Sequence, residues 1–444
     1  RTILSGLPLG FAVFSGAAHA LPQDGVVAAG AATITEHGSQ LLTIDQSSLS
    51  AIIDWQSFDI AAGERVEVFQ PSAAASLLNR VVGGGGPSAI LGSLAASGQL
   101  TLINPSGIHI GAHAKIDVGA LIATTIDIDN QDFLDGRYDF VIPGDVGARI
   151  VNEGQITAAE GGLVAFVAPG VENSGVIAAR LGRVALGAGE RFTLDLYGDD
   201  LIHIGVDDAV MQAIATDALI SQQGSVLADG GQVLIRAEAG AAAVDRVINL
   251  DGVVQARSVG VEDGAIVLYG GDAGTVNVAG TLDASGLAAG ERGGTIAVTG
   301  EQVAVSGDAL LDASGSAGGG TVLVGGEYQG GGTLPTAQRS FVGTDAVLRA
   351  DAVDAGDGGR VIVWADGDTR YHGTISARGG AASGDGGFVE VSGKQALAYR
   401  GAVDTGAANG AQGSLLLDPD NITIVDGAGG TDDGQVTGDG EVLF

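Results

Sequence analysis

Short strand-like segments that begin with glycine recur along this chain, and the repetition constrains its fold more than any other feature. GGTIAV at residues 293–298 returns as GGTVLV at residues 319–324, and NEGQI at residues 152–156 returns as NSGVI at residues 173–177. A unit of about 20 to 30 residues with two or three short strands is typical of a solenoid rather than of a β-sandwich. The sequence therefore predicts a right-handed parallel β-helix of about 15 to 20 rungs, with an N-terminal cap and small extra-helical β elements.

The amino-acid composition fits an all-β solenoid. Of the 444 residues 77 are glycine, and although 45% are hydrophobic only 4% are aromatic. A core of Val, Ile, Leu and Ala suits strands, and glycine suits corners in which φ is positive. One short helical turn is predicted within residues 72–82, where alanine and leucine are frequent. A cap over the first rungs is expected to contain the larger side chains Trp55, Phe58, Phe69, Phe133, Tyr138 and Phe140.

The charge balance and the cysteine count exclude several classes of function. The chain has 53 acidic and 20 basic residues and a net charge of −33, which repels nucleic acids and anionic lipid head groups. It has no cysteine, so disulfides, thiol nucleophiles and cysteine-bound zinc are impossible. We therefore expect no nucleic-acid partner.

The chain divides into four segments. Residues 1–20 hold a short apolar run followed by Ala18, His19 and Ala20, the pattern of a signal peptide that is cleaved after Ala20. This segment is expected to be the remnant of a signal peptide. Residues 21–145 are expected to form a capped core, and residues 146–425 carry the glycine-rich repeats. Residues 426–444 are expected to be a frayed or engineered end, because EVLF at residues 441–444 matches part of a common protease site.

The sharpest local motif is the tetrapeptide NPSG at residues 104–107. Asparagine at the first position, proline at the second and glycine at the fourth are preferred in a type I turn. The asparagine side chain in such a turn accepts a hydrogen bond from the backbone two residues later. Because strands are predicted on both sides of it, the motif alone indicates a turn between two strands.

The segments on either side of this motif indicate more than a turn. FQPS at residues 69–72, NRVVG at residues 79–83, PSAILG at residues 87–92 and IDVGALIATT at residues 116–125 surround it in this order. Together they resemble the N-terminal secretion domain of two-partner secretion exoproteins, the filamentous haemagglutinin and large-adhesin family. The glycine-rich repeats that follow are similar to the β-helical shaft of the same family.

The resemblance implies a non-catalytic secretion domain of an adhesin-like protein. Such a protein leaves a Gram-negative bacterium through the periplasm and is secreted or stays at the cell surface. Its implied partner is an outer-membrane β-barrel transporter with periplasmic recognition domains. Folding into a β-helix at the cell surface, one rung on the next, would bias the chain against sliding back.

The resemblance also assigns residues. It implies that Asn104, Pro105 and Gly107 are needed for productive secretion. Asn79 and Arg80 occupy the stretch of the second family motif, which is often Asn-Pro-Asn-Leu and is absent from this chain. We further expect a monomer without a cofactor, and a host-cell or glycan ligand that binds through C-terminal sequence outside this chain.

Two alternatives stay open at this point. One is a β-helical carbohydrate-active enzyme, a lyase or glycosidase, which would need clustered carboxylates; the candidates are Asp199 with Asp200, Asp207 with Asp208, and the group Asp351, Asp354 and Asp357. The simpler interpretation of these residues is that they are solvated turn acids. The other alternative is the delivery stalk of a contact-dependent toxin.

No structured metal site is expected, and glycosylation of Asn421 stays open. His109 and His113 lie on a strand and its turn, so their four-residue spacing does not bring them to one helical face and predicts no metal site. The glycine- and aspartate-rich turns do not repeat as a calcium-binding array. Asn421 begins a glycosylation sequon, but in a repeat shaft it is interpreted as a ladder or turn residue.

Overall fold

In the computed structural model the chain forms a parallel β-helix with three faces, A, B and C. The structure describes residues 21–194, 202–205, 218–238, 246–419 and 442–443. Face A contains β3 (Leu41–Gln46), β5 (Arg65–Phe69), the first parts of β8 (Ser93–Ile103) and β10 (Lys115–Thr124), β14 (Gln155–Ala158), β17 (Val176–Ala178), β22 (Ser225–Leu227), β25 (Val253–Gln255), β28 (Thr281–Asp283), β31 (Leu310–Asp312), β34 (Val347–Arg349), β37 (Thr374–Ser376) and β40 (Ala402–Asp404).

Faces B and C follow face A in each rung. Face B contains β4 (Ser50–Trp55), β6 (Ser76–Val81), the second parts of β8 and β10, β15 (Leu163–Ala168), β18 (Arg183–Ala188), β23 (Gln232–Ala237), β26 (Ala265–Tyr269), β29 (Thr295–Thr299), β32 (Thr321–Val324), β35 (Arg360–Ala365), β38 (Phe388–Gly393) and β41 (Ser414–Leu417). Face C contains β7 (Ser88–Ile90), β9 (Ile108–Ile110), β13 (Arg149–Asn152), β16 (Gly170–Asn173), β21 (Ile220–Gln222), β24 (Arg246–Leu250), β27 (Thr275–Val278), β30 (Gln302–Val305), β33 (Arg339–Val342), β36 (Asp368–Tyr371) and β39 (Ala396–Tyr399).

The remaining elements lie at the ends or on the side of the helix. At the N-terminal end, β1 (Val26–Ala29) pairs antiparallel with β4, and β2 (Ala32–Glu36) pairs antiparallel with β3. A separate antiparallel sheet, named here the flank sheet, consists of β11 (Asp127–Ile128), β12 (Tyr138–Ile142), β19 (Arg191–Leu194) and β20 (Ile202–Gly205), with helix α1 (Asn130–Leu134) between its first two strands. A 3-10 turn covers Tyr328–Gly330, and β42 (Val442–Leu443) pairs antiparallel with β41.

Stacking of equivalent strands produces the core. Each rung pairs in parallel and in register with the rungs on either side, as β15 does with β10 and β18. Inward-facing Val, Ile, Leu and Ala side chains from all three faces form one continuous cluster from Leu21 to Leu417. The predicted all-β solenoid with its cap and extra-helical elements is confirmed.

The number of rungs is smaller than the sequence predicted. In the described residues, faces A and B carry thirteen strands each and face C carries eleven, against an expectation of about 15 to 20 rungs. The rungs are longer because corner loops and the flank sheet take up chain; one turn of the helix, for example, runs from Leu310 to Val347, its in-register partner.

The predicted helical turn within residues 72–82 is limited to the first residues of the segment, where the Ala75 N–H donates to the Ser72 carbonyl at 3.1 Å, and the residues from Ser76 onward form β6 instead. All six residues of β6 are buried. Leu77 points into the central core, whereas its neighbour Leu78 belongs to a second cluster under the flank sheet. A strand that is buried on both sides has consecutive apolar residues and loses the alternation that identifies a strand in sequence.

The expected aromatic cap is only partly correct. Trp55 and Phe58 do lie in the core near the N-terminal end, in an edge-to-face pair with ring centroids 5.6 Å apart. Phe69 instead is 51% exposed. Phe133, Tyr138 and Phe140 pack on the side of the helix and not at its end. The end itself is covered by β1 and β2, whose antiparallel pairing protects the first rung from edge-to-edge association.

Close stacking, rather than positive φ, explains many of the glycines. An added Cβ at Gly320 would lie 2.1 Å from the carbonyl oxygen of Gly294, and one at Gly359 would lie 2.1 Å from that of Gly320. These corner glycines repeat from rung to rung and have no positive φ. The positive φ that the sequence analysis expected does occur at other turns, such as Gly161 with a φ of 75°. Glycine in the repeats is therefore largely a requirement of backbone-to-backbone approach.

Candidate functional site

The NPSG motif forms the turn between faces B and C, directly after β8 and before β9. The Gly107 N–H donates to the Asn104 carbonyl at 3.0 Å, which closes a four-residue turn. The Ser106 N–H donates to the Asn104 side-chain oxygen at 2.9 Å. Both contacts are those that the sequence predicted, and they are local consequences of asparagine and proline at these positions.

The turn also connects three consecutive rungs. Toward the preceding rung, the Asn104 amide donates to the Gly86 carbonyl and to the Ser88 hydroxyl, each at 3.0 Å. Toward the following rung, the Asn104 N–H donates to the Thr124 carbonyl at 3.1 Å, and the Pro105 carbonyl accepts from the Asp145 N–H at 2.8 Å. Asn104 is only 2% exposed. It is therefore a buried junction of the corner.

Gly107 is fixed by backbone conformation and by space. Its φ is 120°, in the region that favours glycine, and an added Cβ would lie 2.8 Å from the Arg149 carbonyl oxygen. Its own carbonyl accepts from the Ser88 N–H at 3.0 Å. A side chain at this position would push the turn away from face C, where β13 begins.

Asn79 and Arg80 are neighbours in β6, and their side chains point to opposite sides of face B. Asn79 points inward, is fully buried, and accepts a hydrogen bond from the Trp55 indole N–H at 2.9 Å. It fixes the orientation of the large side chain in the first rungs, since a buried indole N–H needs an acceptor.

Arg80 points outward and holds the flank sheet. Its guanidinium donates to Asp127 at 2.8 Å, to Asn130 at 2.7 Å and to the Ile128 carbonyl at 2.8 Å, and it lies 3.4 Å from Asp54 of β4. Its side chain is 10% exposed. These guanidinium hydrogen bonds join face B to the segment that leaves the helix after β10. Lysine cannot reproduce them, because its ammonium lacks the planar fork of donors.

The two predicted motifs do not form a common surface. Residues of both are buried, and their hydrogen bonds described above are made within the chain. Sequence analysis identified Asn104, Gly107, Asn79 and Arg80 but missed their partners, of which Ser88, Asp145, Trp55 and Asp127 are the main ones. These partners come from other rungs, and spacing along the chain carries no signal for them.

The group Asp351, Asp354 and Asp357 does not form a catalytic cluster. Asp351 accepts from the Arg378 N–H at 2.7 Å, Asp354 from the Ser316 hydroxyl at 2.8 Å, and Asp357 from the Asp385 N–H at 2.8 Å. Each carboxylate joins its turn to a neighbouring rung. Asp199, Asp200, Asp207 and Asp208 lie outside the described residues, as do Asn421 and the segment 1–20.

The histidines and carboxylates of the described residues contain no group of three that could hold a metal ion. His109 lies on β9 and its imidazole is 3.3 Å from the Glu153 carboxylate, with both side chains 45% exposed. His113 lies beyond the end of that strand, in the turn before β10. In the part of the chain that the structure describes, no helix is long and apolar enough to cross a membrane.

These observations define the class of the protein: a long parallel β-helix, capped at one end, with an asparagine–proline corner that locks its first rungs. The TPS secretion domain family matches residues 18–284. The chain therefore belongs to the TPS secretion domain family, and it contains the secretion domain of a two-partner secretion exoprotein. Membership implies a cognate outer-membrane transporter, and exoproteins of this kind are exported via the periplasm.

Relatives with curated names come from Haemophilus influenzae. The chain is 34% identical over 223 residues to a heme/hemopexin-binding protein of strain Rd. This alignment covers 48% of this chain and 24% of that protein. It is 32% identical over 279 residues to a second heme/hemopexin-binding protein of the species, which covers 57% of this chain and 29% of that protein. The matches thus span about a quarter of the length of these relatives.

A solved structure supports the fold. The secretion domain of HMW1 from Haemophilus influenzae superposes with a TM-score of 0.74 and 30% sequence identity. The superposition covers 89% of this chain and 100% of the HMW1 domain. The parallel β-helix is therefore shared with a known secretion domain.

Proposed function

We propose that this chain is the export module of an adhesin-like protein and that its cognate transporter engages it in the periplasm before it folds. The β-helix then forms at the cell surface of a Gram-negative bacterium. The observation that carries this order of events is the burial of Asn104, Asn79 and Arg80, which are at most 9% exposed. A folded chain presents none of these three side chains to a partner.

Within this proposal, the NPSG turn acts by closing the first rungs. Its hydrogen bonds join the corners of three successive rungs, so the turn is complete only when β6, β8 and β10 are adjacent. A solenoid grows by adding rungs to a formed template. Because no nucleotide is hydrolysed in this scheme, the free energy of rung addition outside the membrane supplies the direction of transport.

The proposal predicts a defined phenotype for Asn104→Ala. The substitution removes the amide bonds to Gly86 and Ser88 and the side-chain bond to Ser106, and it should cost about 1–3 kcal/mol of stability because buried partners lose their hydrogen bonds. We expect slower refolding from denaturant and less transporter-dependent release. The measurements are stopped-flow tryptophan fluorescence and immunoblotting of the medium from cells with and without the transporter.

Asn409→Ala is the matched control, because Asn409 is an exposed asparagine whose amide donates one hydrogen bond, to the Ala381 carbonyl at 2.8 Å. It should refold and be released like the wild type. If Asn104→Ala refolds at the wild-type rate yet is not released, the turn acts through direct contact with the transporter. Wild-type behaviour in both assays would remove the motif from the export mechanism altogether.

The proposal includes three finer statements about the exported protein. The chain acts as a non-catalytic monomer, since the candidate acids Asp351, Asp354 and Asp357 serve as rung-to-rung acceptors and the strands are paired along all three faces. The leader in residues 1–20 directs it to the periplasm. The complete protein binds a host ligand; heme or hemopexin is the first to test, because the relatives carry that name. Light scattering and binding of the full-length protein to hemopexin test these statements.

A further inference from the structure

A groove lies on the outer side of face C, across strands β27, β30, β33 and β36. It has a volume of about 400 Å³, and Gln302, Ala304, Arg339, Phe341 and Arg370 are among its lining residues. A second pocket of about 320 Å³ continues it along the same face and shares Gln302, Arg339 and Asp368 with it. The two pockets form one shallow channel that crosses several rungs.

Register pairing assembles this groove from residues that are distant in sequence. Across three neighbouring rungs, Gln302, Arg339 and Asp368 lie in register. Two residues further along the same strands, Ala304, Phe341 and Arg370 lie in register. Adjacent rungs are about 4.8 Å apart. The two arginines therefore lie on a diagonal with the phenylalanine ring beside them, an arrangement that the scattered arginines of the sequence did not reveal.

The arginines of this groove are exposed and lack an ion pair among the described residues. Arg339 and Arg370 have no carboxylate within salt-bridge distance there, although Asp368 lies in the adjoining rung. Several other arginines are held by carboxylates: Arg180 pairs with Glu160, and Arg257 pairs with Asp229 at 2.8 Å. In a chain with 53 acidic residues, two unpaired neighbouring cations mark a place where an anion fits.

The aromatic part of the groove is equally exposed. Phe341 is 38% exposed, and its ring centroid lies 6.0 Å from that of His372. On its other side the in-register residue is Ala304, which is too small to cover the ring. Sites for organic ligands combine such apolar surfaces with a few well-placed polar groups, and the Gln302 amide supplies both donors and an acceptor.

We propose that this groove binds an acidic glycan, with carboxylate or sulfate groups held by Arg339 and Arg370 and a sugar ring lying on Phe341. Guanidinium groups recognise planar or tetrahedral oxyanions through paired hydrogen bonds. The Gln302 amide and the Asp368 carboxylate provide hydrogen-bond partners for hydroxyl groups. An acidic peptide fits less well, because every strand of the groove is already paired on both sides and offers no edge for strand addition.

The negative charge of the whole chain does not prevent this binding. At physiological ionic strength the screening length is about 8 Å, so a bound glycan responds mainly to the charges that line the groove. Glu301 lies along the second pocket, and Asp368 lines both pockets; the anionic groups of a bound glycan would therefore lie toward Arg370, at the end of the groove away from Glu301. Binding in this groove does not require a transporter and is independent of the export mechanism.

The test is titration calorimetry of the purified, folded chain at physiological salt. The probes are a heparin hexasaccharide, a hyaluronan hexasaccharide, a neutral dextran oligosaccharide and a polyglutamate peptide. We expect binding of heparin or hyaluronan, or both, and none of dextran or polyglutamate. Heparin without hyaluronan would identify sulfate as the recognised group. Failure of both acidic glycans to bind, or equal binding of polyglutamate, would overturn the proposal.

Two double variants separate the groove from general electrostatics. Arg339→Ala with Arg370→Ala should weaken binding about tenfold or more, as expected for the loss of charge-assisted contacts. Arg349→Ala with Arg378→Ala changes the net charge equally, at the end of β34 and in the corner after β37 of the neighbouring rung, and should leave the affinity within about twofold. Phe341→Ala, an exposed position, should weaken binding without affecting the circular dichroism spectrum. Equal losses in the two double variants would contradict a localised site.

Discussion

Two covers lie over the outer side of face B, and they are held in different ways. The flank sheet covers the earlier rungs with a separate antiparallel sheet. Residues 325–337, named here the strap, cover the later rungs with one irregular segment that contains the 3-10 turn. Both covers bury the outer side of face B strands, whose inner side faces the core. The difference between them therefore shows how a repeated scaffold accepts insertions.

The flank sheet is attached mainly by apolar contacts. Phe140 and Phe192 are both buried and stack with centroids 4.2 Å apart and planes 6° from parallel. They belong to a cluster with outward-facing aliphatic residues of face B such as Ile52 and Leu78. Arg80 adds the one buried cation described above. Aromatic pairs of this kind contribute beyond the area that they bury.

The strap depends on carboxylates. The Glu390 carboxylate of β38 accepts from the Gln329 N–H at 3.1 Å, and the Glu327 carboxylate accepts from the N–H groups of Thr333 and Leu334 at 2.8 and 3.0 Å. Trp364 lies beneath the strap and is 4% exposed. Glu390 is fully buried, and burial raises the pKa of its carboxyl. The stability of the strap should therefore depend on pH.

The largest expected effect comes from Phe140→Ala. Removing a fully buried ring that stacks on Phe192 should destabilise the protein by about 3–5 kcal/mol. Phe69→Ala is the control, since Phe69 is half exposed and should change stability by less than about 0.5 kcal/mol. Urea unfolding followed by circular dichroism measures both. A large loss of stability in Phe69→Ala would show that Phe69 does contribute to the N-terminal cap, contrary to its exposure in the structure.

A smaller effect is expected for Arg80→Ala. Loss of the guanidinium removes the side-chain donor of Asn130 and one of the donors of Asp127 and should cost about 2–3 kcal/mol. Arg137→Ala removes ion pairs to Asp132 and Asp135 in the same region, but Arg137 is exposed and no measurable change is expected. Thermal unfolding compares the two variants. Equal melting temperatures for Arg80→Ala and the wild type would show that apolar contacts alone hold the flank sheet.

The smallest effect concerns Glu390→Gln and its dependence on pH. A carboxyl whose folded pKa is raised is destabilising when charged, so wild-type stability should increase as the pH falls from 7 toward the ordinary value of 4.5. The glutamine variant lacks this charge. It should be more stable than the wild type at pH 7, and the difference should shrink as the pH falls. Parallel stability curves for the two proteins would refute this account of the strap.

The repeats and the NPSG turn were predictable because their signals are local. Glycine pairs before short strands define the rungs, and Asn104 with Pro105 and Gly107 defines a turn by its own backbone preferences. The covers were not predictable in this way. The sequence does not show that Leu78 faces Phe133 and Phe140 instead of the core. Consecutive apolar residues in β6 belong to two different clusters and look alike in the sequence.

The groove on face C was missed for a related reason. Arg339 and Arg370 belong to different repeats, and only the register between β33 and β36 brings them to one diagonal. The division of the chain at residue 145 also remains a prediction. Across that position the ladders of faces A and B continue from β10 to β14 and β15, so a boundary there would be functional and not architectural.

The central claim, that the chain is engaged before it folds, is tested most directly by protease sensitivity during export. Cells with the cognate transporter are pulse-labelled, and the periplasmic and released pools are digested separately. The account predicts a protease-sensitive periplasmic pool, a protease-resistant released pool, and no release without the transporter. A protease-resistant periplasmic pool that is subsequently released intact would contradict it, because the rungs would then have closed before transport.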